Sequence, residues 1–250
     1  MSDFRKCFLI YGTPIFVGLL NSWHPIVAPP IFPKISEHLH WWLHLHLLNL
    51  LGFALLGYAT YVIVSQTENV FASISKVAAL LFIPLYCGFD ALAGIGTGIL
   101  SVISFHLSAD QATVVRSVID ILWNNDLLMA LAVVGSIFWT ISMLTAALAF
   151  TDPSRRWMAV VAAIVVFSVT GWARSNIFFA ADNMTITHNW WFVTAGTGVL
   201  MFVVCKPSIP AGLFTLAGVL FGASHVVPTG PLGMLFFLIG AIYVRPLRSK

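Results

Sequence analysis

Charge is what this chain has least of: Lys and Arg number 12 and Asp and Glu 9 in 250 residues, 8% in all, where a soluble domain carries about a quarter. A solvated globular surface is therefore excluded. Cysteine is scarce as well. Cys7 and Cys205 fall at one edge of the apolar segments and Cys87 inside one, so none is placed for a disulfide, and all three read as packing residues. Missing too are a P-loop, a Gly-x-Ser-x-Gly elbow and a His-Glu-x-x-His pair. No lysine lies mid-segment for a retinal Schiff base, and no basic patch is large enough for nucleic acid. What remains is 59% hydrophobic with a mean hydropathy of +0.94, the composition of an all-α integral membrane protein whose first partner is the lipid bilayer.

Eight apolar stretches are predicted to span: Phe8 to Ser22, Trp42 to Val64, Val77 to Phe105, Leu127 to Phe150, Met158 to Ala180, Trp190 to Val204, Ala211 to Val227 and Leu232 to Val244. The last three are short against the about 20 residues of a usual spanning helix. With both termini cytoplasmic, Arg5, Lys6, Lys76, Arg155, Arg156, Lys206, Arg245, Arg248 and Lys250 fall inside, and only Lys34, Arg116 and Arg174 fall outside or near the outer leaflet. A seven-helix count would break this pattern. The expected location is the bacterial inner membrane, with the first segment an uncleaved helix, because no small-residue cleavage site follows it.

Between the first two segments, residues 22–40 hold Pro25, Pro29, Pro30 and Pro33, which predicts a rigid extended strap and no helix. Ser108-Ala109-Asp110-Gln111 opens a capping box ahead of Val114, Val115, Val118, Ile119 and Leu122. That pattern predicts a short amphipathic surface helix with Trp123 at headgroup level. Landmarks recur in order: His40-Trp41-Trp42 with His188-Asn189-Trp190-Trp191, Lys76 with Lys206, His106 with His225, and Pro153 with Pro246 beside basic residues. One transmembrane domain over 1–250 is expected, with half-repeats 1–156 and 157–250; the plainer reading is that Trp pairs mark interfaces.

All eight histidines, His24, His38, His40, His44, His46, His106, His188 and His225, fall on the outer side of this topology. Imidazole is the commonest transition-metal ligand and the axial ligand of b-type haem. His40 and His44 share a helical face, the spacing that lets two rings hold one ion. The expected ligands of iron, copper, zinc or haem b are thus His40, His44, His106, His188 and His225, with His24 and His38 ranked lower as loop residues. His46, about 160° around the helix from His44, joins Asn49, Glu37 and Asp182 as groups that orient the ligands. The plain alternative is that interface histidines only order the outer loops.

Asp90 lies 14 residues beyond Lys76, about 21 Å along a helix and deep in the hydrocarbon. Arg174, 18 residues beyond Arg156, reaches about 27 Å. The pair reads first as a structural ion bridge and second as a transport site. Gly94 and Gly98 follow Asp90 in a Gly-x-x-x-Gly face, and Gly196, Gly198, Gly212, Gly218 and Gly222 recur in later segments, all suited to close helix packing.

Eight helices, a four-plus-four repeat and outer histidines make the chain similar in outline to haem A synthases and to four-helix b-type cytochromes, a likeness of fold alone. Three functions are expected from these features. The first is a membrane metal or haem redox protein with its site near the extracytoplasmic face, acting in electron transfer or in oxidation of a lipophilic or extracytoplasmic substrate. The second is a transporter of a small solute or metal ion using Asp90 and Arg174. The third is a non-catalytic subunit, held by a membrane-protein partner or as a homo-oligomer.

Overall fold

The computed structural model describes residues 3–25, 31–178, 196, 198 and 208–244. Three consecutive segments, Asp3–Cys7, a π-helical turn over Phe8–Gly12, and Thr13–Ser22, make one helix, α1. Then come α2 (Ile31–Glu37), α3 (Leu39–Val64) and α4, which runs through Val70–Asp90, a second π-helical turn over Ala91–Gly96, and Thr97–Ser104. They are followed by α5 (Ala109–Trp123), α6 (Asp126–Ala149), α7 (Arg156–Phe178), α8 (Ile209–Ala223) and α9 (Thr229–Val244).

Local chemistry sets the helix starts. The Asn69 side chain accepts the Ala72 N–H at 3.0 Å to begin α4, and its amide donates to the Ala149 carbonyl at 3.1 Å, tying that start to the end of α6. Asn125 caps α6 through the Leu127 and Leu128 N–H groups. Ser108 and Gln111 form the capping box expected for α5. Trp123 is half-buried and donates its indole N–H to Thr97 Oγ1 at 3.0 Å.

The proline-rich strap is corrected at α2, which is helical over Ile31–Glu37. Pro33 falls in the first turn, where a missing N–H costs nothing because no intrahelical acceptor precedes it. Ile31, Phe32 and Ile35 then bury one face of α2 against Trp42 and Ile119.

The helices close into a ring. α1 packs on α3, α3 on α4, α4 on α6, α6 on α8 and α8 on α9, and α9 returns to α1; α7 leans on α6 and α8 from outside. Aromatic rings fill the interior. Phe53, Phe82, Tyr86, Trp139, Phe221 and Phe237 are buried in one cluster, and Trp139 lies 5.2 Å, ring centre to ring centre, from both Phe82 and Phe221. The exterior is apolar too, with Leu47, Leu51, Leu80, Leu81, Leu92 and Ile99 exposed, a surface suited to lipid.

Leu39–Val64, Val70–Ser104 and Asp126–Ala149 are long and apolar enough to cross a membrane, and α8 and α9 are shorter apolar helices. This all-helical, lipid-suited architecture is that of a membrane protein. The stretch expected to be the sixth span, Trp190 to Val204, lies outside the described residues apart from Gly196 and Gly198.

Candidate metal centre

One end of the ring collects the C-termini of α1, α4 and α8 and the N-termini of α3, α6 and α9. Three of its histidines converge. His24 follows α1, His46 lies two turns into α3, and His225 sits between α8 and α9. The His24 ring centre is 5.2 Å from that of His46 and 4.9 Å from that of His225, edge to face in both pairs.

Each ring has its Nδ1 engaged. His24 Nδ1 donates to the Pro25 carbonyl at 2.7 Å, and His46 Nδ1 meets Asp90 Oδ1 at 2.7 Å. His225 Nδ1 shares a hydrogen bond with the Tyr86 hydroxyl at 2.8 Å. A carbonyl can only accept, so the His24 ring carries its proton on Nδ1 and presents a lone pair at Nε2, while His46 and Asp90 share one proton between Nδ1 and Oδ1. All three Nε2 atoms are buried and unpartnered, as is Asp90 Oδ2. An orphaned buried polar atom costs about 1 to 3 kcal/mol, and these three lie on rings joined through His24, which touches both of the others. His24 and His46 are only 8% and 4% exposed and Asp90 1%. Burial, with His46 close by, holds the His24 pKa down at about 3, so that ring is neutral, as a ligand must be.

The stripe Tyr86, Asp90 and Gly94 on α4, spaced by four, holds this cluster from one side. Tyr86 engages His225, Asp90 orients His46, and a Cβ at Gly94 would collide with the His46 ring. Trp42 completes the wall. Its ring centre lies 4.3 Å from that of His46, and its indole N–H donates to the Gly94 carbonyl at 2.7 Å. One turn below His46, Asn49 and Asn21 exchange amide hydrogen bonds of 3.2 and 3.3 Å.

Metal–nitrogen bonds of about 2 Å, plus about 1.1 Å from nitrogen to ring centre, put imidazoles at tetrahedral or trigonal angles about 5 to 5.5 Å apart. The His24–His46 and His24–His225 spacings fall near that separation, which is also the range of ordinary edge-to-face ring packing. Among the described residues, no three His, Cys, Asp or Glu side chains form a group that could hold a metal ion as they stand, so a shared ion requires these rings to turn. Haem b fits less well. Two axial rings across one iron face each other from opposite sides, about 6 Å apart, whereas these rings meet edge to face at shorter range.

The other expected ligands fall elsewhere. His40, His44, His106 and Glu37 are exposed, and His44 Nδ1 is engaged by the His40 carbonyl at 2.6 Å. His106 and His225, equivalent landmarks of the expected repeat, thus lie in different surroundings. His188 and Asp182 lie outside the described residues, as does the side chain of Arg174. Asp90 finds its partner in His46, across the bundle from α7.

Comparison of the chain with family models, with curated proteins and with solved structures finds no match.

Proposed function

We propose that this chain is a membrane metal redox protein of the bacterial inner membrane, with a mononuclear transition-metal site near the extracytoplasmic face and His24, His46 and His225 as its ligands. The observation that carries the reading is a set of three imidazoles, two buried and one half-buried, with every Nδ1 engaged and every Nε2 closed off and unpaired. The Asp90–His46 hydrogen bond supports it, because ligating histidines regularly donate their second ring nitrogen to a carboxylate that fixes tautomer and orientation. Redox use is favoured by the aromatic setting. Tyr86 bonds directly to one ligand ring and lies 5.2 Å from Phe82, which in turn lies 5.2 Å from Trp139. Eight spans with both termini cytoplasmic complete the proposal, and its substrate would be lipophilic or extracytoplasmic.

The test is elemental analysis and an absorption spectrum of detergent-purified full-length protein, as isolated and after dithionite. The reading expects about one iron or copper per chain and no Soret band; zinc alone, which has no redox chemistry, would leave a metal site and remove the redox use. A Soret band would transfer the site to haem b, and correctly folded protein that takes up no metal would remove the redox proposal.

A further inference from the structure

The apolar residues of α5 fall on two faces, and the bundle uses only one of them. Ala112 and Ile119 are buried, and Ile119 joins Ile31, Phe32, Ile35 and Trp42, with Val115 and Trp123 packed beside them. At about 100° per residue, a second line of Val114, Val118 and Ile121 stands about a third of a turn away, and these side chains are 63, 43 and 67% exposed. Asp110, Thr113, Arg116, Ser117 and Asp120, all exposed, occupy most of the remaining circumference. The helix thus has three sectors: one packed on protein, one apolar and open, and one polar.

Its connections decide what covers the open sector. α5 is joined to α4 through residues 105–108 and to α6 through residues 124–125, and both neighbours are long and apolar enough to cross a membrane. Three Cα steps reach about 10 Å, so the end of α5 stays beside the first turn of α6, where Leu127 is exposed. Trp123 is tied to Thr97 at 3.0 Å, and Leu100 packs into the cluster that holds Ile119, so α5 runs back along the last turns of α4. On those turns Ile99, Val102 and Ile103 are exposed, continuing the apolar exterior of Leu80, Leu81 and Leu92. The open sector of α5 therefore stands between two helices whose outer surfaces already suit lipid.

We infer that the bilayer covers Val114, Val118 and Ile121, so that α5 lies at the boundary between headgroups and acyl chains at the histidine end, apolar line in lipid and polar sector in water. Charge plays little part. The polar sector sets Asp110 and Asp120 against Arg116, whose guanidinium is spent on the Phe32 ring, 4.6 Å from its centre, so no basic row is offered to anionic headgroups. The contact braces the cap that α2 and α5 form over Trp42, whose ring walls His46. Nothing in it depends on what the histidines bind.

The experiment sets single spin labels on the full-length protein in phosphatidylcholine vesicles, with and without phosphatidylglycerol. Cys7, Cys87 and Cys205 are changed to Ala, and Val114→Cys, Val118→Cys, Ile121→Cys, Thr113→Cys, Ser117→Cys and Asp120→Cys are labelled one at a time. Collision with oxygen, which concentrates in lipid, is compared with collision with a water-soluble nickel chelate. The expected result is high oxygen and low nickel accessibility at the three apolar positions, the reverse at the three polar ones, and no change with phosphatidylglycerol. Nickel accessibility at the apolar positions equal to that at Ser117 would place α5 in water and overturn the inference. Shielding from both probes would mean that a second copy or another protein covers the line, and would overturn it too, as would insertion that appears only with phosphatidylglycerol. The unaltered protein in the same vesicles gives a second reading if the cysteine-free chain does not fold: a lipid-soluble diazirine should label Val114, Val118 and Ile121 and spare Thr113 and Ser117, and an unlabelled α5 would refute the lipid contact.

Discussion

Gly94 is where the fold and the histidine cluster constrain each other most tightly. It lies in the π-helical turn of α4, and a methyl group there would meet the His46 ring directly and His46 Cβ at 2.8 Å. That ring cannot swing aside at low cost, being bonded to Asp90 at 2.7 Å and covered by Trp42. Overpacking a rigid contact costs about 1 to 3 kcal/mol, and displacing His46 leaves Asp90 without its hydrogen bond at about 1 to 3 more. Alanine's better helix propensity returns about 1. Gly94→Ala should therefore lose about 3 kcal/mol, or about 6 to 12 °C in melting temperature for a chain of this size, and should lose metal with it. Gly96→Ala, two residues away, is the control: its Cβ would touch only the Ala91 carbonyl, at an ordinary 3.6 Å, so it should melt at or slightly above wild type. Thermal unfolding in detergent, followed by tryptophan fluorescence with metal content measured on the same samples, compares the two. Equal melting temperatures and equal metal content would refute the packing argument.

Trp42→Phe removes the indole hydrogen bond to the Gly94 carbonyl, but that carbonyl also accepts from the Thr97 N–H. The loss should stay near 2 kcal/mol, mostly packing, and a loss above about 4 in chemical denaturation would show the indole doing something further. Asn21→Leu and Asn49→Leu should each cost about 1 to 3 kcal/mol, the first by stripping Asn49 of its partner and the second by orphaning Asn21 Oδ1 while its Nδ2 keeps the Val17 carbonyl, and the double leucine variant should recover most of it; simple additivity in the double-mutant cycle would contradict a reciprocal pair. In metal-free protein His24 titrates near 3 when folded and near 6.5 when unfolded. Between those values the unfolded chain binds the extra proton, so stability falls as pH drops from about 6.5 toward 3. His24→Gln, a neutral polar replacement, should flatten that fall, and an unchanged pH profile would refute this assignment.

Helical class and most helix positions were legible because lipid demands long apolar runs whose polar backbone is satisfied internally, and because Ser108, Gln111 and Asn125 are strong local start signals. The inward face of α3 was not legible. The helix is apolar on nearly every side, with Leu47 and Leu51 facing out and Leu45 and Phe53 facing in, so periodicity cannot say whether His44 or His46 turns inward. His24 ranked low as a loop residue, yet it lies between His46 and His225. The signal that pointed inward was on α4: a buried carboxylate needs a partner, and Tyr86, Asp90 and Gly94 form one stripe that supplies a hydroxyl, a carboxylate and a space for a ring. The helical turn at Ile31–Glu37 was hidden by counting prolines without asking which of them fell in a first turn.

The account divides the histidines of one end of the bundle into an inward trio and an outward set, and the most direct measurement compares them. Metal per chain is determined by elemental analysis on correctly folded wild type, on His24→Gln, His46→Gln and His225→Gln, and on a triple His40→Ala, His44→Ala, His106→Ala variant. The account predicts about one equivalent in wild type and in the triple outward variant, and none in each inward variant. Metal that survives loss of the inward histidines and disappears with the outward three would contradict it.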